Sequence, residues 1–121
     1  MAALACARAI QPDVTIASPT TRPDSAVAWW KALEECSGKL GDLSAVTWLS
    51  TPGYLLRIEG AVYSGYWLRD RNAVIFGEDL LATADRGGHL IRHELLHALL
   101  QTGSHPTEYF GRKCRRLVVR P

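Results

Sequence analysis

The chain has 121 residues, 47% of them apolar and 21% charged, as is ordinary for one globular domain. These proportions exclude a collagen, a coiled coil and a fully disordered chain. No apolar run reaches the roughly 18 residues of a membrane-spanning helix. Fourteen basic and 12 acidic residues give a net charge of +2. This balance, without aromatic or glycine-rich binding motifs, argues against nucleic acid as a partner.

The N-terminal 24 residues have the composition of a tether. Three of the six prolines fall between residues 11 and 24, among several serines and threonines. Before them, Leu4-Ala5-Cys6 resembles the end of a bacterial lipoprotein signal, where small residues precede a lipidated cysteine. We therefore expect residues 1–24 to be a signal remnant or flexible tether, with a membrane attachment through Cys6. The alternative is a frayed N-terminus without function.

The three cysteines leave one without a partner in any disulfide scheme. Cys36 and Cys114 flank the predicted core, and a bridge between them would close a loop of about 80 residues. Such a bridge contributes about 4 kcal/mol in the chain-entropy model. We therefore expect Cys36 to pair with Cys114 in an exported or membrane-anchored protein, leaving Cys6 over. The alternative is two unrelated thiols in a cytosolic protein.

The predicted elements begin with one helix and continue with strands. A helix over residues 25–37 would place Val27, Trp30 and Leu33 on one apolar stripe, and Gly38 ends it. Four strands are predicted over residues 43–50, 54–59, 61–68 and 73–76. Their short connections favour antiparallel hairpins.

The remainder of the chain is predicted to be mostly helical. A short helix over residues 78–83 ends at Gly87-Gly88, and residues 89–101 are apolar nearly all round, as in a buried helix. Gly103 is the expected C-terminal cap of that helix, and Pro106 opens a final short one. Residues 117–119 would add an edge strand. The layout indicates an α+β domain over residues 25–121, with a sheet of three or four mainly antiparallel strands.

The buried helix contains an H-E-x-x-H pattern formed by His93, Glu94 and His97. Residues four apart share one helix face, so the two imidazoles can converge on one metal ion. Glu94 is rotated about 100° from His93 and can act as general base on a water that the metal activates. Burying these groups among leucines costs free energy unless a metal compensates. The alternative is two core histidines bonded to carbonyls, with Glu94 paired to Arg92 or Arg57.

This helix resembles the active-site helix of the zincin metallopeptidases. Residues 90–114 also resemble small, uncharacterised bacterial exported proteins with zincin-like domains. The resemblance implies a small zincin-like domain that uses Zn2+ to hydrolyse peptide bonds in a peptide or protein substrate. A catalytic zinc takes three protein ligands and keeps a fourth position for water, so a third ligand is needed.

Two residues are candidates for the third ligand. The metzincin spacing would put a histidine where Gly103 stands, and His105 follows two residues later, so we expect it to turn back toward the metal. Gluzincins use a glutamate further along the chain, which makes Glu108 the alternative. Each also has an ordinary role, His105 as an exposed residue before Pro106 and Glu108 as a first-turn acid. His89 can reach the same face but more simply meets solvent.

Two further features of a peptidase are expected. Residues 72–77 are the candidate edge strand along which a peptide would add, although they fit an ordinary core strand as well. Tyr109 is the preferred donor to the transition-state oxyanion, with Tyr63 and Tyr66 as alternatives. The competing function is a non-catalytic binding module stabilised by zinc, which a fourth protein ligand would favour.

Overall fold

The computed structural model describes residues 13–120, apart from the side chains of residues 84–87. It has the predicted α+β fold, with helices on one face of a mixed four-stranded sheet and a β-hairpin on the other. Residues 1–12 of the predicted signal remnant or tether, with the attachment through Cys6, fall outside the described residues. Within the described part of the chain, no helix is long and apolar enough to cross a membrane.

Helices and strands alternate irregularly along the chain. The helices are α1 (Ala26–Ser37), α2 (Glu78–Ala82), α3 (Ala84–Leu100) and α4 (Arg115–Val118), with a π-helix at Tyr109–Lys113. The strands are β1 (Ser18–Pro19), β2 (Thr47–Thr51), β3 (Leu56–Ile58), β4 (Ala61–Tyr63), β5 (Gly65–Leu68) and β6 (Ala73–Gly77). Single 3-10 turns lie at Val14–Ile16, Leu43–Ala45 and Arg69–Arg71.

The main sheet has the strand order β1-β2-β6-β5. β2 runs parallel to β6, while the β1–β2 and β5–β6 pairs are antiparallel. The strand predicted over residues 61–68 is in fact two strands, because the chain leaves one sheet at Ser64. Its first part pairs with β3 in a separate hairpin, and its second part joins the main sheet.

The expectation that residues 72–77 form the edge strand is wrong. All five residues of β6 are buried, and the strand lies between β2 and β5. A strand that is apolar on both faces belongs in the middle of a covered sheet. Among the described residues, the edge on that side of the sheet is β5 instead.

Part of the predicted tether belongs to the domain. β1 pairs with β2, and the amide of Thr20 donates to the carbonyl of Trp48 at 3.0 Å. Val14 and Ala17 pack against the apolar cluster on the hairpin side of the sheet. Proline is tolerated at Pro19 because an edge strand does not need every amide hydrogen.

The core between α1 and α3 corrects two predictions. Trp30 and Leu33 are buried as expected, but Val27 is 57% exposed, and Ala26 takes its place in the core. Helix α3 begins at Ala84 and runs straight through the glycines that were expected to break it. A side chain at Gly88 would come within 3.0 Å of the Trp29 ring, so this glycine lets the two helices approach closely.

Two expectations about the C-terminal segment are also wrong. Gln101, not Gly103, takes the left-handed conformation that ends α3, with φ of 55°. Its side-chain amide donates to Asn72 Oδ1 at 3.1 Å and to the carbonyl of Ala98, and these bonds offset the backbone cost. The edge strand predicted over residues 117–119 is mostly helix α4, which turns Val118 into the core.

The predicted Cys36–Cys114 disulfide is confirmed. The two Cα atoms lie 5.3 Å apart, and the bond joins residues 78 positions apart in the chain. Cys36 lies in the last turn of α1, and Cys114 directly follows the π-helix. The bond therefore fastens the C-terminal segment to the first helix of the domain.

Candidate metal centre

Three histidines converge beside the C-terminal half of α3. His93 and His97 project from adjacent turns of the helix, and His105 comes from the loop that follows it. Nε2 of His105 lies 3.1 Å from Nε2 of His93 and 3.2 Å from Nε2 of His97. The chain turns back at Gln101, in the left-handed conformation, and this reversal brings His105 over the helix.

Backbone carbonyls orient the two helical histidines. Nδ1 of His97 lies 2.8 Å from the carbonyl oxygen of Thr102, and Nδ1 of His93 lies 3.4 Å from that of Val118. A carbonyl oxygen only accepts hydrogen bonds, so the hydrogen of each neutral ring sits on Nδ1. Each Nε2 therefore presents a lone pair toward His105. Histidines that bind a metal through one ring nitrogen usually donate the hydrogen of the other nitrogen to a carbonyl or carboxylate oxygen, as Nδ1 does here.

The positions of the three Nε2 atoms suit coordination of a metal ion better than hydrogen bonds among the histidines. Zinc–nitrogen bonds of about 2.0–2.1 Å in a tetrahedron put the ligand atoms about 3.3–3.4 Å apart. The separations of 3.1 and 3.2 Å between Nε2 of His105 and those of His93 and His97 are close to that value. Without a metal, a hydrogen on Nε2 of His105 can form a good hydrogen bond to Nε2 of only one of the other two histidines. The lone pair on Nε2 of the remaining histidine then has no donor. The three residues could therefore bind a metal ion, and imidazole suits zinc, copper, iron or nickel.

Phe110 forms a floor beneath the cluster. Its ring centroid lies 4.9 Å from that of His93, 4.7 Å from that of His97 and 5.0 Å from that of His105. Phe110 is 5% exposed and belongs to the π-helix that Cys114 directly follows. Sequence reasoning missed Phe110, because only the folded C-terminal segment carries it to the histidines.

Burial controls the charges in the centre. Desolvation lowers the pKa of His97 to about 4, against a smaller opposing effect of its bond to Thr102. Desolvation also lowers the pKa of His93, so both rings are neutral, as metal ligands must be. The same effect raises the pKa of the Glu94 carboxyl to about 8. A perturbed acid next to converging histidines is typical of a functional site.

Glu94 and the histidines face a small pocket against strand β5. The pocket has a volume of about 150 Å3 and is lined by the histidine cluster, Glu94 and neighbours from the strand and loops: Tyr63, Gly65, Tyr66, Trp67 and Gly103. A side chain at Gly65 would come within 2.6 Å of the Phe76 ring and 3.1 Å of Cγ of Glu94, so the glycine lets β5 lie close to both side chains. The sequence contains a signal for this close approach, because a single glycine precedes the aromatic residues Tyr66 and Trp67 of the strand.

The other candidates in the sequence lie elsewhere. Glu108 is exposed, and its carboxylate pairs with Nζ of Lys113 at 2.8 Å, a bond that lowers its pKa. The structure therefore brings His105 to the cluster and leaves Glu108 outside it. Tyr109 packs against the core, with Nζ of Lys113 5.4 Å from its ring centroid. It does not line the pocket, whereas Tyr63 and Tyr66 do.

Two further alternatives are settled by contacts of α3. Arg92 does not pair with Glu94, because its Nε donates to the carbonyl of Leu117 at 2.7 Å and its guanidinium lies 5.5 Å from the Trp29 ring centroid. His89 lines a neighbouring groove and stays outside the cluster of three.

Comparisons of the chain with protein-family models, curated proteins and solved structures return no match. The resemblance of α3 to the zincin helix therefore stays a prediction from sequence. The chemical role of the centre is inferred from its own residues.

Proposed function

We propose that the chain is a zinc-dependent peptidase whose metal is held by His93, His97 and His105. The observation that carries this proposal is the convergence of three Nε2 atoms beside the carboxyl of Glu94 in one pocket. Three neutral imidazoles are a common ligand set for zinc that keeps a position for water. Bound zinc would supply a water of lowered pKa and a Lewis acid for the scissile carbonyl.

Glu94 acts as the general base in this proposal. Its carboxyl is desolvated next to the ligand cluster, which raises its pKa to about 8 without metal. A divalent cation close by favours the ionised form and moves that pKa back toward neutrality, where a base works best. The carboxylate then takes a proton from the attacking water and delivers it to the leaving amine. One residue thus serves both proton transfers.

The peptide substrate adds to strand β5 as a further antiparallel strand. β5 pairs with β6 on one side, and among the described residues no strand pairs with its other edge. Gly65, Tyr66 and Trp67 of this strand line the pocket. Main-chain hydrogen bonds to an edge strand hold an extended peptide largely independently of its sequence. Tyr63 and Tyr66, whose rings lie 5.0 Å apart, replace Tyr109 as candidate oxyanion donors.

The number of ligands supports an enzyme over a zinc-stabilised binding module. Structural zinc sites close the tetrahedron with four protein ligands. The described residues supply a cluster of three, and the remaining side opens to a pocket. A binding module would need a fourth histidine, cysteine or carboxylate on the metal. Glu108, the other ligand predicted from the sequence, is paired to Lys113, and the proposal assigns the carboxyl of Glu94 to the water.

We further propose that the protein acts outside the cytoplasm, at the cell surface or in the periplasm. The Cys36–Cys114 disulfide supports this location, because disulfides persist mainly in oxidising compartments.

Substitution of the base tests the proposal. Glu94→Gln keeps the size of the side chain and removes its ability to take a proton. We expect zinc content to be unchanged and the cleavage rate of a mixed fluorogenic peptide library to fall about 10²–10⁴-fold. Glu108→Gln is the matched control, since its carboxylate is exposed and outside the pocket, and it should retain activity. Undiminished cleavage by Glu94→Gln would exclude Glu94 as the base. A zinc-loaded parent that cleaves no peptide would favour the binding module.

A further inference from the structure

A larger groove adjoins the metal pocket at the beginning of β5. It has a volume of about 770 Å3 and shares His93 with the pocket. Ser64, the residue before β5, lies in its wall together with Leu90, Val119 and Arg120. A second groove of about 420 Å3 lies at the other end of the strand, next to the turn at Arg69–Arg71. The metal pocket therefore lies between two grooves, one next to each end of β5.

The chain direction of a peptide bound antiparallel to β5 determines which side of the cleaved bond enters the groove that holds Arg120. β5 runs from Gly65, beside Ser64, to Leu68. A peptide that adds antiparallel to β5 runs the opposite way, so its C-terminal part reaches the start of the strand. Residues on the C-terminal side of the scissile bond would then enter the groove that holds Arg120. This step rests on the proposed function, which supplies the cleaved bond.

The charges that line this groove are basic. Arg120 and His89 both contribute to its wall, and no described lining residue is acidic. Burial lowers the pKa of His89, and the positive charges of Arg120 and Arg92 lower it further, so near pH 7 the positive charge in the wall of the groove belongs to Arg120. Within the described residues, neither arginine has a carboxylate partner, since the salt bridge found there joins Lys113 to Glu108.

The opposite groove differs in charge. There, Asp70 accompanies Arg69 and Arg71, so both signs are present. The groove with Arg120 also carries apolar surface from Leu90, Val118 and Val119 next to its positive charge. Its lining therefore fits a segment that combines an apolar side chain with a negative group.

We propose that this groove binds a carboxylate on the C-terminal side of the cleaved bond, with Arg120 as its ionic partner. The guanidinium of Arg120 supplies paired donors that suit a carboxylate, and His89 offers a further polar contact. The carboxylate comes either from a free peptide C-terminus or from an aspartate or glutamate side chain. The peptidase would thus prefer substrates cleaved near their C-terminus or before an acidic residue.

Binding of uncleaved peptides tests this proposal without relying on turnover. Three N-acetylated peptides of equal length are titrated into the zinc-loaded Glu94→Gln protein and into the metal-free parent. One ends in a free carboxylate, one is its C-terminal amide, and one is an amide with a glutamate near the C-terminus. We expect the free acid, the glutamate peptide or both to bind about tenfold more tightly than the neutral amide. Which of them gains affinity identifies the source of the carboxylate.

Two arginine variants provide the matched comparison. Arg120→Gln should reduce binding of the acidic peptides to the level of the neutral amide. Arg116→Gln removes an exposed arginine of α4 that does not line the groove, and it should leave the preference intact. Equal binding of all three peptides, or a preference that survives Arg120→Gln, would overturn the proposal. If the parent prefers the acidic peptides but cleaves none, the peptidase proposal fails and carboxylate binding by the groove stands. Failure of one proposal can therefore be distinguished from failure of the other.

Discussion

Two regions of the molecule build the candidate metal centre, and different forces hold them. His93, Glu94 and His97 lie on α3, between core residues such as Leu95 and Leu96 that are fully buried. The other region, from His105 to Val118, follows the helix as an exposed loop, a π-helix and one short helix. Helix geometry and core packing fix the first region, while the second depends on contacts far apart in sequence. One part of the centre therefore depends on local helix geometry, and the other depends on contacts between residues that are far apart in the sequence.

The Cys36–Cys114 disulfide is the strongest of the long-range contacts that hold the segment from His105 to Val118 in place. It closes a loop between residues 78 positions apart, next to the π-helix that carries Phe110. Cys36→Ala/Cys114→Ala should lower the free energy of unfolding by about 4 kcal/mol, measured by urea denaturation. Cys6→Ala keeps both partners of the bond and should leave the reductant sensitivity of the parent intact. An unchanged urea midpoint in the double variant would show that packing alone holds the C-terminal segment.

The pH dependence of stability tests the helical half. In the metal-free protein burial raises the pKa of Glu94 from 4.5 to about 8 and lowers that of His97 from 6.5 to about 4. Between pH 6.5 and 8 the folded state keeps most of the Glu94 proton, which the unfolded chain has already lost. His97 of the unfolded chain loses its remaining proton at the start of this window, which offsets part of the effect. The unfolded state still binds fewer protons, so stability falls as pH rises, by about 1 kcal/mol over this window.

Below pH 6.5 the two groups oppose each other. The unfolded chain gains a proton on His97 as pH falls, which destabilises the folded state, whereas the buried Glu94 proton favours it. Glu94→Gln should therefore abolish the decline between pH 6.5 and 8 in urea titrations of the metal-free protein. A flat profile in the parent, or an equal decline in Glu94→Gln, would contradict the desolvation of this carboxyl.

The same division explains what could be predicted from the sequence. The convergence of His93 and His97 follows from a spacing of four residues, which a helix turns into proximity without help from the rest of the fold. The choice between His105 and Glu108 depended on where the chain reverses, and that was predicted at Gly103 but occurs at Gln101. No local pattern distinguishes a loop that returns over the helix from one that leads away.

Long-range pairing also limited the prediction of the sheet. The four buried apolar residues from Ala73 to Phe76 identified a strand, but its position between β2 and β5 depends on a parallel partner more than 20 residues away. The division at Ser64 escaped prediction because both halves of that segment have ordinary strand composition. At Gly88, packing against Trp29 outweighs the weak helix propensity of glycine.

Zinc content of histidine variants tests the central claim most directly. Protein expressed with excess zinc and then dialysed should carry about one zinc per chain in the parent and in Glu108→Ala. His93→Ala, His97→Ala and His105→Ala should each lower zinc affinity more than a hundredfold, because the loss of a direct ligand exceeds that of a supporting contact. Circular dichroism would confirm that each variant is folded. A parent without zinc, or retention by His105→Ala with loss in Glu108→Ala, would contradict the three-histidine centre.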